Sequence, residues 1–499
     1  MDQLYPFERA LPEELGLSSR DITAFIRSLE EQYVNMHGFM IIRHGKVAAE
    51  GYWKPFHKDY MHRMYSCSKS FTSTAIGILI GEGKLKLNDP VAKYFPDLLP
   101  ENPHPYKLSM TVRDLLMMAT PYESGTYDWP DKSWVATFFQ ASEPTHPAGS
   151  IWHYDTSGTH TLGVLAERLA GMPLMDFLYD RLFQYMGGTK EAWCIKAPEG
   201  NSWGGSGVIC KQRDLARLAY VWMNKGRVGD RQIIPEDYVM EGSSKQIDNC
   251  LLGHHSRNHH CGYGYQVWME PEGGFSFWGM ASQYAVCYRD KGLMLICTAN
   301  TLNEPVDEQL IYNAFREHIL HKAADTALPA DAEGDAALQA RLDSLEMLVP
   351  YGDKHSDWQE KVSGITYDLT PNRMGMTQVR FDFFPNGEEG VMTYTNAQGE
   401  KQIRFGMAHY VEGRFPQWGY SWDQIGTPSK VLMRCLGSAG WVEPNKLQLT
   451  VFLEDIHCGL VTNTVCFLDD GRTVSMMLTK CGENCLNEYY GNTSGTARE

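Results

Sequence analysis

The spacing of the apolar residues changes once along this chain of 499 residues, and the change divides it. In the first part, helical patterns such as "TVRDLLMMA", "HTLGVLAERLAG" and "KQRDLARLAYVWMNKG" alternate with long polar loops. Residues 323–346, "AADTALPADAEGDAALQARLDSLE", are rich in Ala and Asp and poor in large apolar side chains, the texture of a linker that is helical in part. Beyond it, "TQVRFDFF", "GVMTYTN", "KQIRFGMAHY", "KLQLTVFLED" and "TVSMMLTK" alternate apolar and polar residues between Gly, Asn and Pro turns. Short strands at such spacing build a barrel or a sandwich. One ordinary core does not serve so long a chain. The expected organisation is a first domain over 1–322, a linker over 323–346 and an all-β, barrel-like domain over 347–499.

Inside the first domain, "PEELGLSSRDITAFIRSLEEQY" reads as a helix, and "HGFMIIRHGKVAAEGYW" as two strands around a His44–Gly45 turn. Two further strands, "FSFWGMASQYAVCYR" and "LMLICTAN", close this half before the helix "DEQLIYNAFREHIL". Strands at both ends with helices between them give an α+β domain whose sheet joins the ends of its sequence.

Net charge is −16, which argues against nucleic acid and anionic membrane as partners. No stretch reaches the uninterrupted apolar length of a membrane span. The start, "MDQLYPFERALPEELGLSS", has neither a basic n-region nor an apolar h-region, so a cytoplasmic location is expected. The 12 cysteines then read as small buried hydrophobes, since no CxxC pair occurs and Cys481 with Cys485 lacks a second pair.

One stretch resists a purely structural reading. "RMYSCSKSFTSTAIGILIGEGKLKLNDPV", residues 63–91, is a helix bound for the core, yet it opens on Ser66, Ser68, Lys69 and Ser70. A capping serine explains one hydroxyl but not the lysine. Ser66 and Lys69 are three residues apart and share a helix face. A serine hydroxyl becomes a nucleophile when a neighbouring base takes its proton, and a desolvated lysine supplies such a base. Ser-x-x-Lys alone arises by chance on the order of once or twice in a chain this long, so its company matters. Tyr154 stands in a polar turn just before a helix, where a phenol relays protons. "WGGSGVICKQRDLARL" leads a glycine-rich turn into a helix, and "FSFWGMASQY" puts Gly279 where a backbone approaches a ligand closely.

"SCSK", "YDT", "GGSGVICKQRDLARL" and "FWGMASQY", in this order and at these distances, resemble the serine β-lactamase and penicillin-binding-protein superfamily. The branch most similar is the class C-like serine hydrolases: esterases, D-amino-acid amidases and 6-aminohexanoate-dimer hydrolase. The resemblance spans roughly residues 10–320. It implies an antiparallel sheet flanked by helices with an all-helical subdomain. It implies Ser66 as the acylated nucleophile, Lys69 as its base and Tyr154 as a second acid/base. The oxyanion hole would be the backbone N–H groups of Ser66 and Met280. Two positions depart from the pattern. Thr156 stands where Asn is usual, and "Phe-Trp-Gly" replaces a motif that commonly begins with Lys or His. Without that cation, recognition of a substrate carboxylate is weakened, which points to an uncharged or apolar acyl substrate.

The remaining signals are weaker. His254, His255, His259, His260 and Cys261 cluster in "GHHSRNHHCGYGY", but no carboxylate lies near and no metal is expected. Cys67 is turned about 100° from Ser66 around a helix and reads as core. Tyr65, Tyr122, Tyr127, Trp129 and Trp134 are pocket walls or core, with Thr156, Trp278, Gly279, Tyr127 and Trp134 taken as substrate-pocket candidates. The expected function is cleavage of a small ester or amide through an acyl-enzyme. Acyl transfer to an alcohol or amine, and a non-catalytic binding protein on the same scaffold, are its alternatives. No cofactor is expected; the partner is a small-molecule ester, amide or acyl donor, and homo-oligomerisation stays open. The C-terminal domain resembles the lipocalin-like appendages of some of these hydrolases.

Overall fold

The computed structural model describes residues 7–129, 131–140, 143–249, 257–302, 307–349, 351–482 and 485–498. The chain forms two compact units. The first takes in residues through Leu345 together with Asp423–Thr427, and the second Glu346–Trp422 with Pro428 onwards.

The first unit is built on a six-stranded antiparallel sheet. Its order is Lys46–Tyr52, Met36–Arg43, Leu293–Ala299, Gln283–Tyr288, Phe275–Gly279 and Trp268–Met269. Met36–Arg43 pairs directly with Leu293–Ala299, so the sheet does join the two ends of the domain. The first hairpin turns where the sequence placed it, with His44 and Gly45 both left-handed at φ 51° and 78°.

Met36–Arg43 is buried on both faces, as its apolar run Phe39–Ile42 requires. Met40 and Ile42 face the main core, while Phe39 meets Phe25 of the helix Ser19–Glu31. Ser18 caps that helix from the Asp21 N–H. The linker stretch holds the helix Ala332–Asp343, capped by Asp331 and buried through Leu338. Arg20 binds Asp331 and Glu333, so this helix packs beside Ser19–Glu31 as part of the first unit.

"FSFWGMASQYAVCYR" is two strands where the sequence suggested one. Ala281 and Ser282 take left-handed φ of 63° and 66°, and the chain reverses there without Gly, Asn or Pro to announce it. That local cost falls beside the candidate site.

In the second unit nine strands close a barrel: Gly399–Met407, Glu389–Asn396, Gln378–Phe383, Thr366–Leu369, Gly491–Ala497, Thr473–Gly482, Cys458–Leu468, Lys446–Glu454 and Arg434–Glu443. The ring shuts through a parallel contact, Gly406 opposite Ser438 and Met407 opposite Ala439. A tenth strand, Val411–Arg414, pairs with the other half of Arg434–Glu443. Alternate residues point inward and fill the interior, among them Phe381, Phe405, Trp441, Leu449 and Phe467. Among the described residues no helix is long and apolar enough to cross a membrane.

Candidate active site

The helix Ser68–Gly81 is buried almost throughout, from Ser68 to Leu79. Phe71, Ala75, Ile76 and Leu79 supply its apolar contacts. Its hydroxyls each find a partner: Ser70 donates to Gln266 O at 2.9 Å, Ser73 to Tyr265 O at 2.7 Å and Thr74 to Ser70 O at 2.8 Å. A buried hydroxyl left unpaired costs about 1–3 kcal/mol, so this pattern makes a polar helix tolerable in a core. None of the serines is a cap. The N-cap is Cys67, which makes no side-chain cap, and Ser68 Oγ accepts instead from Val208 N at 3.0 Å.

Ser66 lies one step before the helix, in the 3₁₀ turn Tyr65–Cys67. Tyr65, fully buried, has φ 46°, and this left-handed step turns the chain from the strand Met61–Arg63 into the helix. Ser66 is half-buried while Tyr65 and Cys67 on either side are buried, which leaves the Ser66 side chain within reach of a ligand. Lys69, 1% exposed, donates from Nζ to Ser66 Oγ at 3.0 Å and to Gly205 O at 2.7 Å. Cys67 faces away: its Sγ donates to Gln283 O at 3.1 Å, and burial pushes its thiol well above the ordinary range.

The glycine-rich turn is gripped along its length by the start of the nucleophile helix and by the residues that lead into it. Thr72 Oγ1 donates to Gly204 O at 2.9 Å, Lys69 to Gly205 O and Arg63 Nε to Ser206 O at 3.0 Å, while Met64 N donates to Val208 O at 2.8 Å. A Cβ on Gly204 would meet Thr72 Oγ1 at 2.5 Å, and one on Gly205 would meet Thr156 Cγ2 at 2.6 Å. These glycines are needed for close approach rather than for an unusual φ.

Tyr154 precedes the helix Thr156–Ala170. Asp155 caps that helix through Ser157 N at 2.8 Å and accepts from Thr120 Oγ1 at 2.9 Å, so the tyrosine turn is pinned from two sides. Lys69 Nζ lies 5.0 Å from the centre of the Tyr154 ring. The phenol oxygen is shut off from solvent beside the Ser66 hydroxyl. Burial pushes its pKa up, and the neighbouring Ser66 hydroxyl opposes part of that rise. Thr156 turns its methyl toward Gly205, whose carbonyl takes the lysine.

Gly279 completes the cluster. A Cβ there would strike Met64 O at 2.3 Å and Cys67 N at 3.2 Å, so the strand lies directly against the turn that carries Ser66. Met280 follows at the head of the hairpin. Phe277 is buried in the main core, whereas Trp278 is half-exposed and donates from Nε1 to Tyr284 Oη at 3.2 Å.

Of the aromatic candidates, Tyr122 and Trp134 are core residues, and Tyr127 and Trp129 are half-buried. Tyr127 stacks on Trp134 at 4.1 Å, and its hydroxyl accepts from Trp203 Nε1 at 3.2 Å. Sequence reasoning passed over Trp203, Asp155, Arg63 and Trp268. Trp268 stacks on Tyr154 at 5.5 Å and packs at 6.0 Å from Trp278. Only Asp155 carried a sequence signal, as an Asp opening an apolar helix. His254 and His255 lie outside the described residues, and His259 packs at 4.5 Å against Trp268. Among the described residues no three His, Cys, Asp or Glu gather that could hold a metal ion.

Known proteins resemble this chain in sequence and in fold. The chain is 25% identical over 229 residues to the 6-aminohexanoate-dimer hydrolase of Paenarthrobacter ureafaciens, an alignment covering 42% of this chain and 58% of that protein. The chain therefore spans little more than half the length of that relative. In fold it is similar to a putative 6-aminohexanoate-dimer hydrolase from Bacillus anthracis, with a TM-score of 0.51, 19% identity and coverage of 64% of this chain and 88% of that one. SurE solved with D-Leu is similar across both units, with a TM-score of 0.50, 15% identity and coverage of 95% and 99%. The sequence pattern of the Beta-lactamase family matches residues 26–318, more than half of the chain and inclusive of Ser66, Lys69, Tyr154 and Met280, and the chain belongs to that family.

Proposed function

We propose that the protein is a serine hydrolase that cleaves small, uncharged esters or amides through an acyl-enzyme on Ser66. The observation that carries this reading is the 3.0 Å contact between Lys69 Nζ and Ser66 Oγ at a half-buried turn. Neutral Lys69 takes the Ser66 proton as Oγ attacks the substrate carbonyl carbon. The oxyanion forms between the Ser66 and Met280 N–H groups. Tyr154 gives its proton to the leaving oxygen or nitrogen, and the Lys69 ammonium beside its ring stabilises the phenolate. Water then attacks the acyl carbon, the proton it loses restores Tyr154, and Lys69 returns its proton to Ser66 Oγ as the bond from that oxygen to the acyl carbon breaks.

The substrate class rests on the segment Phe277–Trp278–Gly279. Phe277 sits in the core where a cation is common, and Trp278 offers an indole edge. An uncharged acyl group fits such a wall better than a carboxylate. The named activity of the Paenarthrobacter relative is hydrolysis of a 6-aminohexanoate dimer, in keeping with an amide or ester substrate.

Exposure to a fluorophosphonate tests the reading by intact mass. One adduct per chain is expected on the wild-type protein and none on Ser66→Ala, with neutral short-chain esters turned over far faster than penicillins. Labelling that persists in Ser66→Ala removes Ser66 from the mechanism. Penicillin turnover equal to that of esters overturns the substrate class.

A further inference from the structure

Arg63 lies three residues before Ser66 on the strand Met61–Arg63, opposite Ile209, and is 2% exposed. An arginine so buried is unusual, and its contacts have a common direction. Nε donates to Ser206 O at 3.0 Å and the guanidinium also donates to Ser206 Oγ at 3.3 Å. The guanidinium carbon lies over the Tyr65 ring, 4.3 Å from its centre, and over the Trp203 ring at 4.9 Å. Tyr65 is the left-handed residue that turns the chain into Ser66. Trp203 and Ser206 bracket Gly204 and Gly205, and the Gly205 carbonyl is the second partner of Lys69 Nζ.

We propose that Arg63 is a positioning residue for acylation, fixing at once the two groups between which Lys69 is held. Resting on the reading of Ser66 and Lys69 as nucleophile and base, the inference has a mechanical basis. Lys69 Nζ is set by Ser66 Oγ on one side and Gly205 O on the other. The direction of the Gly205 carbonyl depends on the peptide that follows it, and Arg63 holds the far end of that residue pair through the Ser206 carbonyl and hydroxyl. The position of Ser66 depends on the Tyr65 backbone, and the same guanidinium holds the Tyr65 ring. A planar group with donors on its edge and two aromatic faces against it is needed to do both. Lysine, a point charge on a flexible stem, does neither well. Small errors in such geometry are costly, since proton transfer needs the base within hydrogen-bond reach.

The test is the burst of p-nitrophenol from p-nitrophenyl acetate under pre-steady-state conditions, in the full-length protein. Burst amplitude counts folded, competent sites, and the burst rate constant reads acylation in those sites. A purely structural arginine would lower the amplitude and leave the rate constant alone. Arg63→Lys is expected to keep an amplitude near one per chain and to lower the rate constant at least tenfold, with the half-saturating ester concentration unchanged. Ser206→Ala removes one of the two anchors and is expected to lower the rate constant two- to threefold. A wild-type rate constant in Arg63→Lys, at any amplitude, overturns the proposal. Should that variant fail to fold, Ser206→Ala decides, and an unaltered rate constant there overturns it equally. A wild-type protein with neither burst nor label on Ser66 overturns the reading of Ser66 and this inference with it; a wild-type burst with unaffected variants overturns this inference alone.

Discussion

The helix Ser68–Gly81 and the interior of the C-terminal barrel are both sealed from water, yet they are made of different material. Six of the first seven helix residues carry a hydroxyl or an amine, and Ser68, Lys69, Ser70, Thr72, Ser73 and Thr74 are each no more than 1% exposed. The barrel is filled with Phe, Met, Leu, Val and Trp. Hydrophobic burial stabilises the barrel at about 25 cal/mol per Å² of apolar surface, with no partner to arrange. The helix forgoes part of that gain and replaces it with hydrogen bonds to Gln266, Tyr265, Gly204 and Val208, drawn from distant parts of the chain. Such bonds are weak stabilisers and strict locators. The contrast separates a region selected for exact placement from one selected for filling space.

The comparison is most exposed at Lys69. If the buried polar groups of the helix serve chemistry, Lys69→Arg lowers the acylation rate by about a thousandfold, the scale of a lost general base, because a guanidinium keeps its proton. The ester burst reads this directly, and a fast, full-sized burst in that variant would return Lys69 to a structural role.

Glu270 gives the next effect. It is buried in the same unit, accepting hydrogen bonds from Asn258 and from Ser276 at 2.5 Å. Burial lifts its carboxyl from an ordinary 4.5 to about 7, with those bonds opposing the rise. Between these values the folded protein keeps a proton that the unfolded chain has released. Stability from this group is therefore complete below pH 4.5 and falls as pH rises to about 7. The loss is on the order of 3 kcal/mol at 1.36 kcal/mol per unit. Urea unfolding followed against pH should show that fall in the wild type and a flatter profile in Glu270→Gln; equal slopes would mean that Glu270 is ionised in the fold.

The smallest effect lies in the barrel. Asn463 is 1% exposed, donates only weakly to Met392 Sδ at 3.4 Å, and its carbonyl oxygen has no partner among the described residues. If that interior is selected for filling alone, Asn463→Leu raises stability by about 1 kcal/mol. A loss of stability on denaturant unfolding would show that the asparagine is as well placed as the hydroxyls of the helix.

Much of this was legible in the sequence, for reasons that differ by region. Lys446–Glu454 and Thr473–Gly482 alternate apolar and polar residues, and period-two patterns survive into structure. Arg434–Glu443, "RCLGSAGWVE", and Gly491–Ala497, "GNTSGTA", escape that reading because Gly and Ser fill their middle positions. Gly437 shows why: a Cβ there would lie 2.1 Å from Arg404 O. In the site, Ser66 and Lys69 were visible because helical spacing alone brings them together. The grip of Thr72, Lys69 and Arg63 on residues 204–206 was not, since it joins segments more than 130 positions apart and no local pattern encodes it. The 280–282 turn was hidden for the opposite reason: Ala281 and Ser282 adopt a conformation their residue types seldom take.

The parallel contact that shuts the barrel has a consequence of its own. Strands that alternate in direction around a ring pair antiparallel everywhere only if their number is even, so a ring of nine must contain one parallel junction. Here that junction joins two residue pairs, Gly406 with Ser438 and Met407 with Ala439, whereas even the short strand Thr366–Leu369 registers three with each neighbour. The ring thus has a clasp. Amide protons at the clasp exchange with solvent through a local opening that leaves the other eight junctions intact, while those midway round, between Thr473–Gly482 and Gly491–Ala497, wait for the whole shell to unfold.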